Sequence, residues 1–342
     1  MNDLERRLCI SCLPGLNGLQ LLAVSLTDIT VSDILGFSGD AFVEFLVENG
    51  ILRRAVLAGR VAFDPASVEH DARSLSRWLE HENRGAVFLG DPAYPRYLSM
   101  GHSPPYRLCH LGSVPPSESM TLSVAGTRNP TGFAVCECYR FGLDAALNGT
   151  GLVSALSRGC DQACAQGAVD AGGRCWALLP CGSDYLYPAC PGLRDAMVQC
   201  GGGLLFPCLP SDMPMKWRFH QRNELLAGIS PWLVLFQGGM SSGALLCADS
   251  ALRQGREVAV HSCGVSESPS SRGTFSLTRD GAAVVDGYSG LARISAGVYP
   301  CEKSVRRVVS GGLSLRELRQ GELSGALYRY RNAWYSSGYG QT

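Results

Sequence analysis

The chain lacks net charge. Its 30 Lys and Arg are matched by 30 Asp and Glu, which excludes a globally basic surface, so any polyanion site must be a local patch. Long apolar runs are also missing: none approaches the ~18 residues a membrane-spanning helix requires. The opening MNDLERRLCI is charged and has no apolar core. It predicts no signal peptide, no membrane contact and a cytoplasmic location. No Gly-x-Gly-x-x-Gly follows the first central strand, and no acidic residue stands about 20 positions on to hold a ribose. That argues against a dinucleotide, and nothing else in the chain calls for a cofactor.

Glycine and cysteine are abundant, at 41 and 15 residues of 342. The glycines point to many tight turns or close backbone approaches. An odd cysteine count without a secretory leader argues against a disulfide framework. Zinc would need paired short spacings. Cys9/Cys12 and Cys160/Cys164 are isolated pairs that no His pair answers, so no metal is expected. Cys136, Cys138, Cys175 and Cys247 lie in apolar segments and are expected to be buried, reduced thiols.

Three segments are expected. Residues 1–80 read as a small helical module of SAM-like or helix-hairpin type, with helical apolar spacing at Leu4–Leu8, Leu19–Leu26 and Phe42–Leu46. Asp71–Glu82 is expected as a connecting helix. Residues 86–291 alternate short apolar runs with helical stretches. Strands are expected at Ala86–Leu89, Tyr106–Leu111, Leu122–Ala125, Gly151–Ser154, Cys175–Leu179, Leu204–Phe206, Trp232–Phe236 and Glu257–His261, with helices between them, one of them at Arg222–Ala227. This predicts an α/β fold: a Rossmann-like, mostly parallel sheet with ligands at the carboxyl ends of its strands. Residues 292–342 form a short tail. From Cys301 on it holds seven basic residues against three acidic, with Tyr328, Tyr330, Trp334, Tyr335 and Tyr339.

Gly-containing turns recur where strand passes to helix. The first is Ala125-Gly126-Thr127-Arg128, the second Arg158-Gly159 ahead of Asp161, the third Cys181-Gly182-Ser183, and another is Gln237-Gly238-Gly239 to Ser242-Gly243. Backbone N–H groups at helix starts bind phosphate, and an Arg there can clamp it. The densest constellation is Lys216-Trp217-Arg218-Phe219-His220-Gln221-Arg222-Asn223. Its cations can neutralise phosphates and its aromatics can stack bases without regard to sequence.

The order of these elements resembles the DNA-processing protein A (DprA/Smf) family. The match includes Tyr94-Pro95, Pro104-Pro105 ahead of Leu111-Gly112, Gly126-Thr127-Arg128 with Gly132, Arg158-Gly159 with Asp161, Gly182 ahead of Tyr187-Pro188, Phe219 with Arg222-Asn223, Ser242-Gly243, and Gly273-Thr274 ahead of Arg279-Asp280-Gly281. The resemblance implies an extended Rossmann-like fold, a homodimer, and a non-enzymatic protein that binds and protects single-stranded DNA. It further implies delivery of that DNA to the RecA recombinase in natural transformation. The pocket it implies uses Arg128, Lys216, Phe219, Arg222 and Asn223, with Gly126, Thr127, Arg158, Gly159, Gly182, Ser242 and Gly243 completing the phosphate contacts. The chain departs from the family at Cys164-Ala165, where Ala-His is usual, and at Phe206-Pro207, where Ser-Glu is usual. It departs again at Gln237-Gly238, where Glu-Ala is usual, and at Glu224, where Arg is usual. The family often ends in a winged helix, of which Leu313–Leu318 and Glu322–Tyr330 would be a degenerate remnant.

Two other readings compete. Nucleotide-cleaving phosphoribohydrolases of the LOG type use a Gly-Gly turn with a nearby catalytic Glu. Gln237-Gly238-Gly239 supplies such a turn, but the nearest following carboxylate is Asp249, and without a placed acid the chemistry has no carrier. A decayed paralogue acting as a scaffold would bind no single-stranded DNA.

Overall fold

The computed structural model describes residues 3–52, 62–185 and 187–295, and the backbone of 307–308, 327–330 and 333–336. The first helices are α1 (Asp3–Ser11), α2 (Gly18–Ser25), α3 (Val31–Gly36), α4 (Gly39–Glu48) and α5 (Pro65–Leu79). Their starts are written locally. Asn17 and Thr30 make reciprocal capping boxes with Gln20 and Asp33, and Ser38 caps α4. The expected connecting helix starts earlier, because Asp64 accepts from the Ala66 and Ser67 N–H groups and Pro65 occupies the first turn. The apolar faces of these helices, including Leu8, Val24, Ile34, Phe42 and Leu75, join the same buried cluster as the sheet. Arg7 fastens the two regions from the side, reaching Asp91 at 2.5 Å and lying over the Phe88 ring.

The sheet has nine strands in the order β1-β2-β6-β5-β4-β3-β7-β8-β9. They are β1 (Arg84–Phe88), β2 (Arg107–Gly112), β3 (Thr121–Ala125), β4 (Gly151–Ser154), β5 (Cys175–Leu178), β6 (Gly203–Phe206), β7 (Trp232–Leu235), β8 (Glu257–His261) and β9 (Ala283–Val285). β1 pairs antiparallel with β2 and β2 with β6, and every other pairing is parallel. The expected α/β, mostly parallel, Rossmann-like fold is therefore the observed one, with β9 as an additional edge strand. β3, β4, β5 and β6 are buried throughout, as parallel strands covered on both faces must be.

The crossing helices are α6 (Arg96–Ser99), α7 (Gly132–Leu147), α8 (Cys160–Asp170), α9 (Pro191–Gln199), α10 (Lys216–Gly228), α11 (Gly243–Arg253), α12 (Arg272–Arg279) and α13 (Tyr288–Ser295). α10 begins at Lys216, six residues before the expected start at Arg222. α7 and α8 pack backbone to backbone: a Cβ on Gly142 or Gly167 would run into a carbonyl of the partner helix. Fourteen cysteines are described and all are free thiols, ten of them buried. Cys136 corrects the expectation, because it is exposed on α7 while Cys138, two residues on, faces the core.

In the tail, 307–308, 327–330 and 333–336 pair as a three-stranded antiparallel sheet. Within the expected winged-helix remnant Leu327–Tyr330 is a strand, and 313–318 lies outside the described residues. Among the described residues no helix is long and apolar enough to cross a membrane, and no cluster fit to hold a metal ion occurs.

Candidate functional site

β3 is the switch point of the sheet. The chain builds outward from it through β4, β5 and β6, then returns to its other side with β7, β8 and β9. The crevice of a doubly wound sheet opens beyond the carboxyl ends at such a point, and the first, second and fourth Gly turns meet there. The Thr127 N–H donates to the Gln237 carbonyl at 2.6 Å, and the Cys160 N–H to the Thr127 carbonyl at 3.2 Å. A Cβ on Gly126 would stand 2.5 Å from Cys160 Cβ, so only hydrogen fits between β3 and α8. Gly159 holds φ +93°, a conformation that other residues resist, and a Cβ there would stand 2.5 Å from the Thr127 carbonyl. Arg128 and Arg158 emerge exposed from these turns, and Arg158 donates to Asn129 Oδ1 at 2.8 Å.

α10 forms the other wall. Phe219 is half-buried, with the Arg128 guanidinium 6.0 Å and the Arg222 guanidinium 5.7 Å from its ring centroid. Tyr187 meets the same ring edge-on at 5.3 Å. Lys216 lies three residues before Phe219 on the same helical side. It is exposed and has no ion-pair partner among the described residues. Asn223 completes that side, and a Cβ on Gly243 would approach its Nδ2 at 3.6 Å. Ser242 stands at the N-cap of α11 but makes no capping bond, and its Oγ has no partner. That leaves the hydroxyl and the helix N-terminus at the crevice without a protein anion.

The three cations of the α10 cluster have different fates. Arg222 is 3% exposed. Its Nη1 donates to the Ala155 and Leu178 carbonyls at 2.9 and 3.4 Å, and its Nε to Asn223 Oδ1 at 3.0 Å. Its charge is balanced by buried Asp161, whose carboxyl accepts from the Ser157 N–H at 3.2 Å. Burial pushes that carboxyl up to about 6 against the opposing pull of Arg222, and burial lowers the Arg222 pKa against the pull of Asp161. Arg222 therefore braces the floor of the crevice beneath Phe219. Arg218 is committed to Asp212 at 2.6 Å. Lys216 alone of the three stays open.

Gly182 is placed differently from expectation. Its N–H donates to the Asp212 carbonyl at 2.8 Å, and a side chain there would strike the Leu209 and Pro210 carbonyls. The segment 209–212 closes over this turn, so it shapes the wall rather than facing the opening. The role of Gln237 had no sequence signal beyond its departure from the family. Its Oε1 accepts from the Thr131 N–H at 3.0 Å, and its Nε2 donates to Thr131 Oγ1 and the Cys263 carbonyl, each at 3.2 Å. One neutral amide thus joins β7, α7 and the turn after β8. Beside it, burial lowers His261 to about 4. The neutral ring accepts from the Cys263 N–H and stacks on Phe236, so its 3.8 Å approach to Glu137 is no ion pair. Asp249 points outward and pairs with Arg253 at 2.9 Å.

The model of the DNA recombination-mediator protein A family matches residues 85–293. The chain belongs to that family. It is 30% identical over 188 residues to DNA processing protein DprA of Bacillus subtilis and 29% over 209 residues to Protein Smf of Escherichia coli. These alignments cover 54% and 61% of the chain, and 63% and 56% of the relatives. The chain thus spans less than two thirds of the length of these relatives. Two solved family structures share the fold. DNA processing protein A of Streptococcus pneumoniae matches at a TM-score of 0.60 and 22% identity, covering 78% of this chain and 98% of that one. The Helicobacter pylori protein, described for its single-stranded DNA binding mode, matches at 0.54 and 21%, covering 64% and 98%.

Proposed function

We propose that the chain binds single-stranded DNA in this crevice, without sequence preference and without catalysis. The observation that carries the reading is Phe219, a half-buried ring with two guanidinium groups beside it and an open lysine one turn before it. Aromatic faces accept any base, and Arg128 and Lys216 supply phosphate contacts that lie outside internal ion pairs. Gly126, Thr127, Arg158, Gly159, Ser242 and Gly243 line the same opening, with the Thr127 and Ser242 N–H groups already donated to the Gln237 and Gly239 carbonyls, while Arg222, Asn223 and Gly182 hold its shape. We further propose that the protein works as a cytoplasmic homodimer that protects an incoming strand and passes it to the RecA recombinase in natural transformation.

The test is a titration with a dT oligomer at two salt concentrations. Affinity should fall as salt rises, with a slope of about 0.7 per phosphate neutralised on a single strand. Arg128→Ala and Lys216→Ala should each weaken binding and flatten that slope, and Phe219→Ala should cost about 1–3 kcal/mol. Unchanged affinity in both cation variants overturns the site. RecA delivery is read as faster RecA filament formation on the same strand when the protein is present, and no acceleration removes that part of the proposal.

A further inference from the structure

The first turn of α10 holds a second aromatic that the crevice does not use. Trp217 is 56% exposed, and Met213 and Met215 just ahead of it are 58% and 49% exposed. Residues two apart on a helix point to nearly opposite sides, so Trp217 faces outward while Phe219 faces the crevice. Its ring is backed rather than loose. The Arg218 guanidinium lies 4.6 Å from the indole centroid and is itself anchored to Asp212 Oδ1 at 2.6 Å. Asp212 in turn accepts from the Leu209 N–H at 2.7 Å and, through its carbonyl, from the Gly182 N–H. The indole is thus a pre-set plate with a cation behind it, which reduces the ordering cost of stacking something on its open side.

The surroundings suit a polyanion. Residues 213–223 contain no Asp or Glu, and the Asp212 charge is neutralised by Arg218. Lys216 and His220 are exposed on either side of Trp217. Met215 gives α10 no side-chain cap, and of the first-turn N–H groups that of Arg218 is taken by the Met215 carbonyl at 2.9 Å, which leaves the helix end itself facing this side. A helix with its side chains is about 10–12 Å across, a short path for a strand leaving Phe219 around the N-terminus of α10.

We propose that Trp217 is a second stacking platform for a base of the same single strand, outside the crevice, with Arg218 as its cationic backing and Lys216 guiding the intervening phosphate. The proposal rests on the single-stranded DNA reading above. Its consequence is a binding footprint longer than the crevice itself.

The experiment titrates the full chain with a short and a long dT oligomer, roughly 5 and 20 nucleotides, one near the lower end of known single-strand site sizes and one beyond the upper end. Trp217→Ala should weaken the long strand about five-fold or more, the lower end of base–aromatic stacking. It should leave the short strand unchanged, and Trp217→Phe should recover most of the loss. On a long abasic strand, which keeps the phosphates and loses the bases, wild type and Trp217→Ala should bind alike. Equal affinity of wild type and Trp217→Ala for long dT overturns the proposal, as does an equal loss on the abasic strand. If Phe219→Ala weakens both lengths while Trp217→Ala weakens neither, the crevice stands and this platform alone fails. If wild type binds neither length, both fail.

Discussion

Arg222→Ala tests how the crevice floor is held. In the wild type the Arg222 and Asp161 side chains are almost fully withdrawn from water, and each is the charge that justifies burying the other. Deleting the guanidinium removes its bonds to the Ala155 and Leu178 carbonyls. It leaves Asp161 with the Ser157 and Gly126 N–H groups and no cation beside it. Breaking a buried pair from one side costs about 3–5 kcal/mol. The loss should depend on pH. The folded Asp161 pKa, about 6, lies above its ordinary 3.8, so the stability this group contributes is full below 3.8 and is lost as pH rises through the folded value. Without Arg222 the folded pKa climbs further and the loss extends to higher pH. The gap between wild type and variant should therefore be wider at pH 8 than at pH 5. Urea unfolding at the two pH values measures it through the midpoint at constant slope. Asp161→Asn in the Arg222→Ala background should restore part of the loss, because an amide needs no counter-charge. A loss below about 1 kcal/mol at both pH values, or two substitutions whose effects simply add, would refute the pairing.

Two more expectations concern the same crevice. His261, held near 4 by burial against an ordinary 6.5, contributes stability that is present above 6.5 and drains away as pH falls toward 4, roughly 3 kcal/mol in all. His261→Asn should flatten that acid limb in a circular-dichroism titration, and an unmoved acid transition would refute it. Asp161 acts in the opposite direction over nearly the same range, so the two slopes oppose each other in the wild type. Gly159→Ala should lower the stability read from urea unfolding by at least the roughly 1–2 kcal/mol of a left-handed residue, because a Cβ would also stand 2.5 Å from the Thr127 carbonyl. The same variant should lose affinity for dT, since it displaces the turn that carries Arg128.

The central strands β3, β4 and β5 were legible because each is a short, wholly buried run followed within a few residues by a glycine turn, and such runs need no distant information. The start of α10 was not. Between Lys216 and Arg222 the sequence shows no apolar stripe, because Phe219 serves the crevice and Trp217 faces solvent. What fixes that turn is the Asp212–Arg218 clip and the packing of Leu225 and Leu226. The fate of Arg222 was hidden for a related reason: its partner Asp161 stands on α8, far away in sequence. A cation beside an aromatic reads as a ligand contact until burial is known. Gly182 shows the converse, a turn whose open side is filled by the later segment 209–212. The order of the turns around β3 could be read along the chain, but which of them stay open is decided by packing between distant segments.

The position of β3 between β4 and β7 has a mechanical consequence. One flank of the crevice descends from residues 121–206 and the other from residues 216–285, and they are joined by the β3–β7 pairing and, beyond its carboxyl end, by the bonds of Thr127 and Thr131 with Gln237. A polyanion resting on Arg128 from one flank and on Lys216 and Ser242 from the other acts as a rivet through both. Prying the flanks apart then also requires expelling the rivet, an added resistance of about 2.7 kcal/mol when the strand stands at a hundred times its dissociation constant. Amide exchange in β3 and β7 should slow together when the strand is present, although the two strands belong to different halves of the chain.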